Sequence, residues 1–449
     1  MKKVIYILAA ALFLSGLTAC RKSDGEVKAD LPVISGTDET EPENTAYNIP
    51  QSSVPTVPVS TALSSLASDL EQCKEEEGNF LWNDCKAPHL PQTDRIYALK
   101  AEEKKAPETN REILEKFKEY CILYFGEYKE EKVYFRTWGG GFSTDEGDPY
   151  TEENGVKICS GLKLSDYYDR VINNGNNENI RLSFLEYADT ENNRFMWFNT
   201  PFVFPSYVNS GAVRKASNAD SVLNYDYPMD AWSKDGYEIM DSIVYDGSQK
   251  DLSYKLLDKK TTLGEAVNYV ENVYPRELSE KEEIGYKVHF TDIYRINDSS
   301  FAYMMKYSVS YKGIPFDYNE GIYSMTSMTG ENMFMPEAYC MIAESDKADS
   351  FFGYVNGCDY EEAEEYTEIC SLKTAANIAE KALSDNVKFK VLGLDLVYGG
   401  ERTEDDIITL RPRYRFNLLN ENSERTMYFY VDAVSGEYDY FYYEMSKRG

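Results

Sequence analysis

Histidine is nearly missing from this 449-residue chain: only His89 and His289 occur. A nucleophile with an imidazole base would have to use one of these two, or substitute a lysine or a carboxylate for the base. The sequence has no Gly-x-Ser-x-Gly elbow, no His-Glu-x-x-His, no phosphate loop and no dinucleotide fingerprint. Their absence removes the common serine-hydrolase, zinc-peptidase and nucleotide-binding signatures. There is no Cys-x-x-Cys spacing, which argues against a zinc ribbon. Basic charge is scarce: 47 Lys and Arg face 77 Asp and Glu, for a formal charge of −30. A chain so acidic is repelled by nucleic acid and by bare anionic lipid, so a nucleic-acid partner is not expected. Past the first 19 residues no apolar run approaches the roughly 20 residues that cross a bilayer.

The N-terminus is the exception to that hydrophilicity. Lys2 and Lys3 precede an apolar run from Val4 to Leu14, followed by Ser15, Gly16, Leu17, Thr18, Ala19 and Cys20. A positive start, an apolar centre too short to span a bilayer and a small-residue cleavage site describe an export signal. Leu17-Thr18-Ala19-Cys20 resembles the lipobox of bacterial prolipoproteins. That resemblance implies cleavage after Ala19 and a diacylglyceryl group on the Cys20 thiol, making Cys20 the lipidation site. Two or more acyl chains suffice for stable anchoring. The expected location is the extracytoplasmic face of the cell membrane, with the membrane itself the first partner. A secreted protein with a chance cysteine after the cut is the competing reading. Loss of Lys2 and Lys3 with the signal makes the remaining chain more acidic still.

Seven further cysteines follow: Cys73, Cys85, Cys121, Cys159, Cys340, Cys358 and Cys370. An odd number leaves at least one thiol outside any set of intrachain bridges. Cys73 with Cys85 is the expected local pair, while Cys121 and Cys159 sit among apolar neighbours and are expected to be buried.

Residues 1–19 are read as the signal and 20–65 as a disordered acidic tether rich in Pro, Ser and Thr. A tether of about 40 residues reaches roughly 35 Å. Residues 66–106 are unassigned. In 107–250 an α+β domain is expected. Thr109 and Glu112 form a capping-box pattern before Ile113, Phe117, Tyr120, Cys121 and Tyr124 at helical spacing, and Gly126 ends the run. Strands are expected over 132–138, 180–188 and 194–198, the last two joined by the turn Asp189 to Asn193.

Two similar units follow, over 251–368 and 369–449. Thr262, with Glu265 as its capping-box partner, opens a helix with Leu263, Ala266, Val267, Val270 and Val273 on one face. Ser371 precedes a second helix with Leu372, Ala375, Ala376, Ala379 and Leu383 on its face. Each helix leads into strands and then a tight turn, Met328-Thr329-Gly330-Glu331 in the first unit and Val434-Ser435-Gly436-Glu437 in the second. Repetition of this kind marks a duplicated unit, one helix on an antiparallel sheet. The fold class is therefore α+β: an N-terminal α+β domain, then two helix-on-antiparallel-sheet repeats. Tyr414 to Leu418 and Thr426 to Ala433 are expected to alternate as strands, and Glu437 to Tyr443 to form a last aromatic one.

Val431-Asp432-Ala433-Val434-Ser435-Gly436-Glu437, after a helix with small residues on its core face, resembles the PepSY domain. Gly436 supplies the left-handed conformation and Asp432 can cap the turn. The first unit keeps Thr329-Gly330-Glu331 but has Thr326 where Asp432 stands. Tyr311 to Phe316, just before it, is similar to segments of Gram-positive lipoproteins that carry such units. The resemblance implies regulation of peptidases, wall hydrolases or sensor kinases by protein contact, without catalytic residues.

Other groups are read as structural. His289 lies on a strand over 286–296, sharing a face with Lys287 and Thr291, and is expected at the surface. His89 lies among prolines in the unassigned stretch. Asp145-Glu146-Gly147-Asp148, and Asp359 to Glu362 with Glu364 and Glu365, lack EF-hand spacing and are read as solvated acidic loops. Gly139-Gly140-Gly141 is read as a joint at a strand end. No metal, cofactor or catalytic residue is expected. The function expected is a lipid-anchored, non-enzymatic protein that binds or regulates another envelope protein. The alternative is a glycan- or small-ligand-binding lipoprotein, suggested by 38 tyrosines; a carboxylate hydrolase stands third.

Overall fold

Aromatic and β-branched residues favour pleated, half-buried surfaces, and in this chain they build two large sheets with helices laid against them. The computed structural model describes residues 54–75, 78–83, 85, 91, 93–103, 107–137, 151–153, 156–158, 162–173, 181–192, 194–199, 204–209, 238–256, 259–278, 280–317, 337–342, 350–353, 358–383, 387–402, 408–423 and 425–443. All belong to one compact unit.

In chain order the main elements are α1 (Val59–Glu75), β1 (Ile96–Glu103), α2 (Asn110–Phe125), β2 (Val133–Thr137), α3 (Leu164–Asn173), β3 (Leu182–Asp189), β4 (Arg194–Asn199), β5 (Phe204–Asn209) and β6 (Glu238–Val244). Then come α4 (Leu263–Asn268), β7 (Ile284–Asn297), β8 (Ser300–Tyr311), β9 (Glu337–Ile342), β10 (Ser350–Gly353), β11 (Cys358–Tyr366), α5 (Leu372–Ala382), β12 (Phe389–Arg402), β13 (Ile408–Asn420), β14 (Thr426–Asp432) and β15 (Tyr438–Tyr443). The fold is α+β.

The first sheet has 11 strands and runs β6-β7-β8-β9-β10-β5-β4-β3-β2, closed by the short strand Leu162–Lys163. The second has seven and runs β11-β1-β13-β12, with Phe80–Leu81 beyond β12. Strand β13 is long enough to serve two partners on one edge: Ile408–Leu410 pair with β1, and Arg413–Leu419 with β14. Two meanders stand out. After α4, strands β7, β8, β9 and β10 pair antiparallel in succession. After α5, strands β12, β13, β14 and β15 do the same.

Strand pairing runs across residues 250 and 368, where domain boundaries are expected. Strands from both sides of 250 share the first sheet, and β11, ahead of 368, joins the second. The tether expected to reach residue 65 has already ended by Val57, which pairs with Ile369. In α1, Val59, Ala62, Leu63, Leu66, Leu70 and Cys73 are buried at helical spacing. Ser and Thr between them disguised the pattern as linker.

Helix α2 starts and stops as its residues dictate. Thr109 accepts from the Glu112 amide and Glu112 reaches back to the Thr109 amide, while Gly126 closes the helix at φ 74°. Phe117 packs edge-on to Phe198 at 5.9 Å, which seats α2 on the first sheet. Thr262 and Glu265 repeat the capping box at α4. Beyond α4 the helix widens into a π turn over Tyr269–Val273. The extra residue per turn rotates the face, so Tyr274 is buried and Val273, expected inside, is 41% exposed. Strand β14 was expected to alternate; instead all seven residues are buried, because β13 and β15 flank it and α5 packs against it.

A hairpin joins the sheets. Lys312 and Gly313 both take positive φ, 47° and 82°, and turn β8 back into Ile314–Pro315. Phe316 then bridges Tyr398 of β12, and the Asp317 amide donates to the Tyr398 carbonyl.

Candidate functional site

Several residues singled out from sequence lie outside those the structure describes: Cys20, His89, Asp145 to Asp148, Gly139 to Gly141, Cys159, and the first-unit turn with Thr326 and Gly330. The second-unit turn is described. Gly436 takes φ 74°, and Asp432 Oδ1 accepts from the amides of Val434 and Ser435 at 2.9 and 2.8 Å. It is a structural device, as expected from its residues.

His289 is not at the surface. The register of β7 against β8 shifts between Val288 and Phe290, and this irregularity breaks the simple alternation on which the surface placement rested. The ring is 4% exposed, and Nε2 lies 2.7 Å from Ser308 Oγ. Lys306 and Asp292 are buried on the same pair of strands, with Ser242 of β6 donating to Asp292. Sequence reading missed Ser308, although Lys306, Ser308 and Ser310 place three polar residues on alternate positions of β8. A serine and an imidazole in contact are the start of a nucleophile–base pair. Ser308 is wholly buried, however, so no substrate carbonyl meets it in this conformation.

A second cluster draws tyrosines from several elements. Tyr286 of β7 packs on Tyr307 of β8 at 5.1 Å and on Tyr274 at 6.0 Å. Tyr286 is buried and its hydroxyl has no hydrogen-bond partner, and Tyr360 contributes a second phenol with Cys358 beside it. Burial pushes both phenols well above the ordinary tyrosine value, and the nearby Glu280 carboxylate adds to the shift. Tyr120 of α2 is pushed up to about 12 by burial, again with Glu280 contributing. Burying hydroxyls without partners costs about 1–3 kcal/mol each. Such groups are the places where a polyhydroxylated ligand or ordered water gains most.

The bridge expected between Cys73 and Cys85 is not formed; both sulfurs are thiols. Burial raises the Cys85 thiol to about 12, with Asp395 and Cys73 adding to the shift and Lys74 opposing it. Burial likewise raises Cys370 to about 12 and raises Cys121. None of these three is a thiolate at neutral pH.

Two of the sheet edges differ in chemistry. The acidic run from Asp359 to Glu365 is not a loop but most of β11, the edge strand of the second sheet. Its side chains from Glu361 to Glu365 are exposed. Glu362 is engaged across elements, accepting from Lys312 Nζ at 2.6 Å and Tyr311 at 2.8 Å, and Glu365 lies 3.7 Å from Arg95 Nε. Strand β6 edges the first sheet and carries Ile239, Met240 and Val244, exposed by 42%, 39% and 43%. Among the described residues no group of His, Cys, Asp and Glu has the arrangement of a metal site. None of the described helices is long and apolar enough to cross a membrane.

No protein-family model and no curated protein matches the chain. A crystal structure of an uncharacterized protein from Eubacterium rectale is similar, with a TM-score of 0.39 and 12% identity, covering 78% of this chain and 87% of that one. A likeness at that level carries no functional argument.

Proposed function

We propose that the chain is a bacterial lipoprotein, held at the extracytoplasmic face of the membrane through Cys20, that acts without catalysis by binding or regulating another envelope protein. The observation that carries the location is the order Lys2-Lys3, apolar Val4 to Leu14, then Leu17-Thr18-Ala19-Cys20. Confinement at a membrane raises the effective concentration of a binding surface there. The two helix-then-meander units support the duplication read from sequence, and the Asp432-capped turn supports the likeness of the second unit to PepSY domains. Replacement of Cys20 by serine releases the protein from membranes. Cross-linking of the wild type in cells captures an envelope protein; recovery of none, with normal wall turnover in a deletion strain, contradicts the reading.

A glycan- or small-ligand-binding lipoprotein is the second reading. It is favoured by the buried, unsatisfied hydroxyl of Tyr286, with the Glu280 carboxylate nearby. A soluble glycan that raises the melting temperature of the wild type but not of Tyr286→Phe supports it. A broad panel with no shift removes it.

A further inference from the structure

We infer that β6 is a docking edge for an extended segment of a partner protein, one that alternates apolar residues with lysine or arginine. The inference rests on the protein-binding function proposed above and names its surface.

Sheet edges are open templates for strand addition, and folded proteins guard them with charge, proline or short length. Strand β11 is guarded by acids along its length, whereas β6 carries charge only at Glu238 and Asp241. Along β11 the exposed positions are acids, save Ala363. Strand β6 is seven residues long with no proline and no lysine, and three of its side chains are exposed apolar ones. No strand lies on its outer side among the described residues. The strand is nevertheless set firmly on its inner side. It pairs with β7 from Glu238 to Val244, buries Ile243, and ties Ser242 Oγ to the buried Asp292. Such an edge is preorganised, so a partner does not bear the cost of ordering it.

One backbone group shows how the edge is kept and opened. The Ser242 amide donates to the carboxylate of Asp241 at 2.8 Å rather than to a strand. Asp241 is exposed, so its carboxylate can swing off when a cation is offered. An incoming strand with a lysine or arginine at that position draws the carboxylate aside and takes the amide onto its own carbonyl. A second copy of the chain fits poorly. Antiparallel pairing about the strand centre sets Asp241 against Asp241, and like charges directly opposite destabilise. It also brings together two chains of formal charge −30 each.

The test uses the mature protein, a seven-residue peptide alternating valine and lysine, and its valine–glutamate counterpart. Fluorescence anisotropy shows the lysine peptide binding at least tenfold tighter than the glutamate peptide. Val244→Lys weakens the lysine peptide at least tenfold, and Asp241→Lys reverses the preference between the two. Melting curves of both variants within a few degrees of wild type rule out misfolding as the cause. Equal binding by wild type and Val244→Lys, or no binding by wild type, overturns the inference. So does a wild-type dimer in sedimentation that Val244→Lys dissolves. In cells, a cross-linked partner that Val244→Lys leaves unchanged sinks the docking edge while the partner-binding function stands; loss of any partner in the wild type sinks that function itself.

Discussion

The guanidinium of Arg415, on β13 of the second sheet, lies 3.1 Å from Oδ1 of Asp317, which follows the hairpin leaving the first sheet. Neither side chain is more than 2% exposed. Arg415 also donates to Asp395 Oδ2 at 2.7 Å and lies over the Tyr428 ring at 4.9 Å. One buried cation thus fastens the two sheets. Removing one partner from such a group leaves buried charge uncompensated, at a cost of about 3–5 kcal/mol. Arg415→Ala is expected to lose that much in urea denaturation, and Asp395→Asn less, because Asp395 is 17% exposed.

A pH dependence follows from Asp189 at the end of β3. Burial tends to raise its carboxyl, but hydrogen bonds from Lys132, Asn192 and Arg194 outweigh that and bring it down to about 2. Lys132 Nζ lies at 2.8 Å and Arg194 at 2.6 Å. A depressed carboxylate contributes stability above the unfolded value near 4, and the contribution is lost as pH falls through the folded value. Asp189→Asn is expected to be less stable than wild type by about 1–2 kcal/mol at pH 6. The difference narrows between pH 4 and pH 2 in acid denaturation curves.

Helix termini give a third expectation. Nothing lies within 4 Å of a Cβ built on Gly126, so Gly126→Ala meets no clash and suffers only from its positive φ, at about 1 kcal/mol. Thr109→Ala removes the capping oxygen at the other end of α2 and costs about 1 kcal/mol. Thermal melts of the two variants and their combination check both, and the effects should add.

The His289–Ser308 pair separates a structural role from a catalytic one. Ser308 has no exposed surface, so a fluorophosphonate probe is expected to leave it unlabelled in the folded protein. Ser308→Ala is expected to cost about 1–3 kcal/mol, since it strips the 2.7 Å partner from a buried imidazole. Rapid stoichiometric labelling at Ser308 contradicts this and favours a hydrolase.

Local signals in the sequence were legible. Thr109 with Glu112, Thr262 with Glu265, Gly126 and Gly436 each act on neighbours within a few residues, and each sits where its chemistry requires. Strands such as β3 and β4 were also plain, because Asp189 and Asn192 turn the chain between them. Long-range pairing was not. Nothing in Ile96 to Glu103 announces that it lies between β11 and the start of β13, several hundred residues on. Helix α1 was lost among Ser and Thr, since its buried face relies on alanine, valine and leucine set between small polar residues. His289 and Val273 were misplaced for one shared reason. Each sits at an irregularity, a register shift in one case and a π turn in the other, where an extra residue breaks the period that placed it. Of the sites, Cys20 rests on its motif alone and Ser308 only on the polar alternation Lys306, Ser308, Ser310, while Asp317 and Glu280 carry no sequence signal apart from their neighbours in space.

The most direct test of the central claim is mass spectrometry of the N-terminal peptide of the protein taken from its native membrane fraction. The account predicts a chain beginning at Cys20, with residues 1–19 gone, a diacylglyceryl group on the sulfur and no protein in the medium. A chain that begins elsewhere or retains residues 1–19, or an unmodified Cys20 on a protein released to the medium, contradicts it.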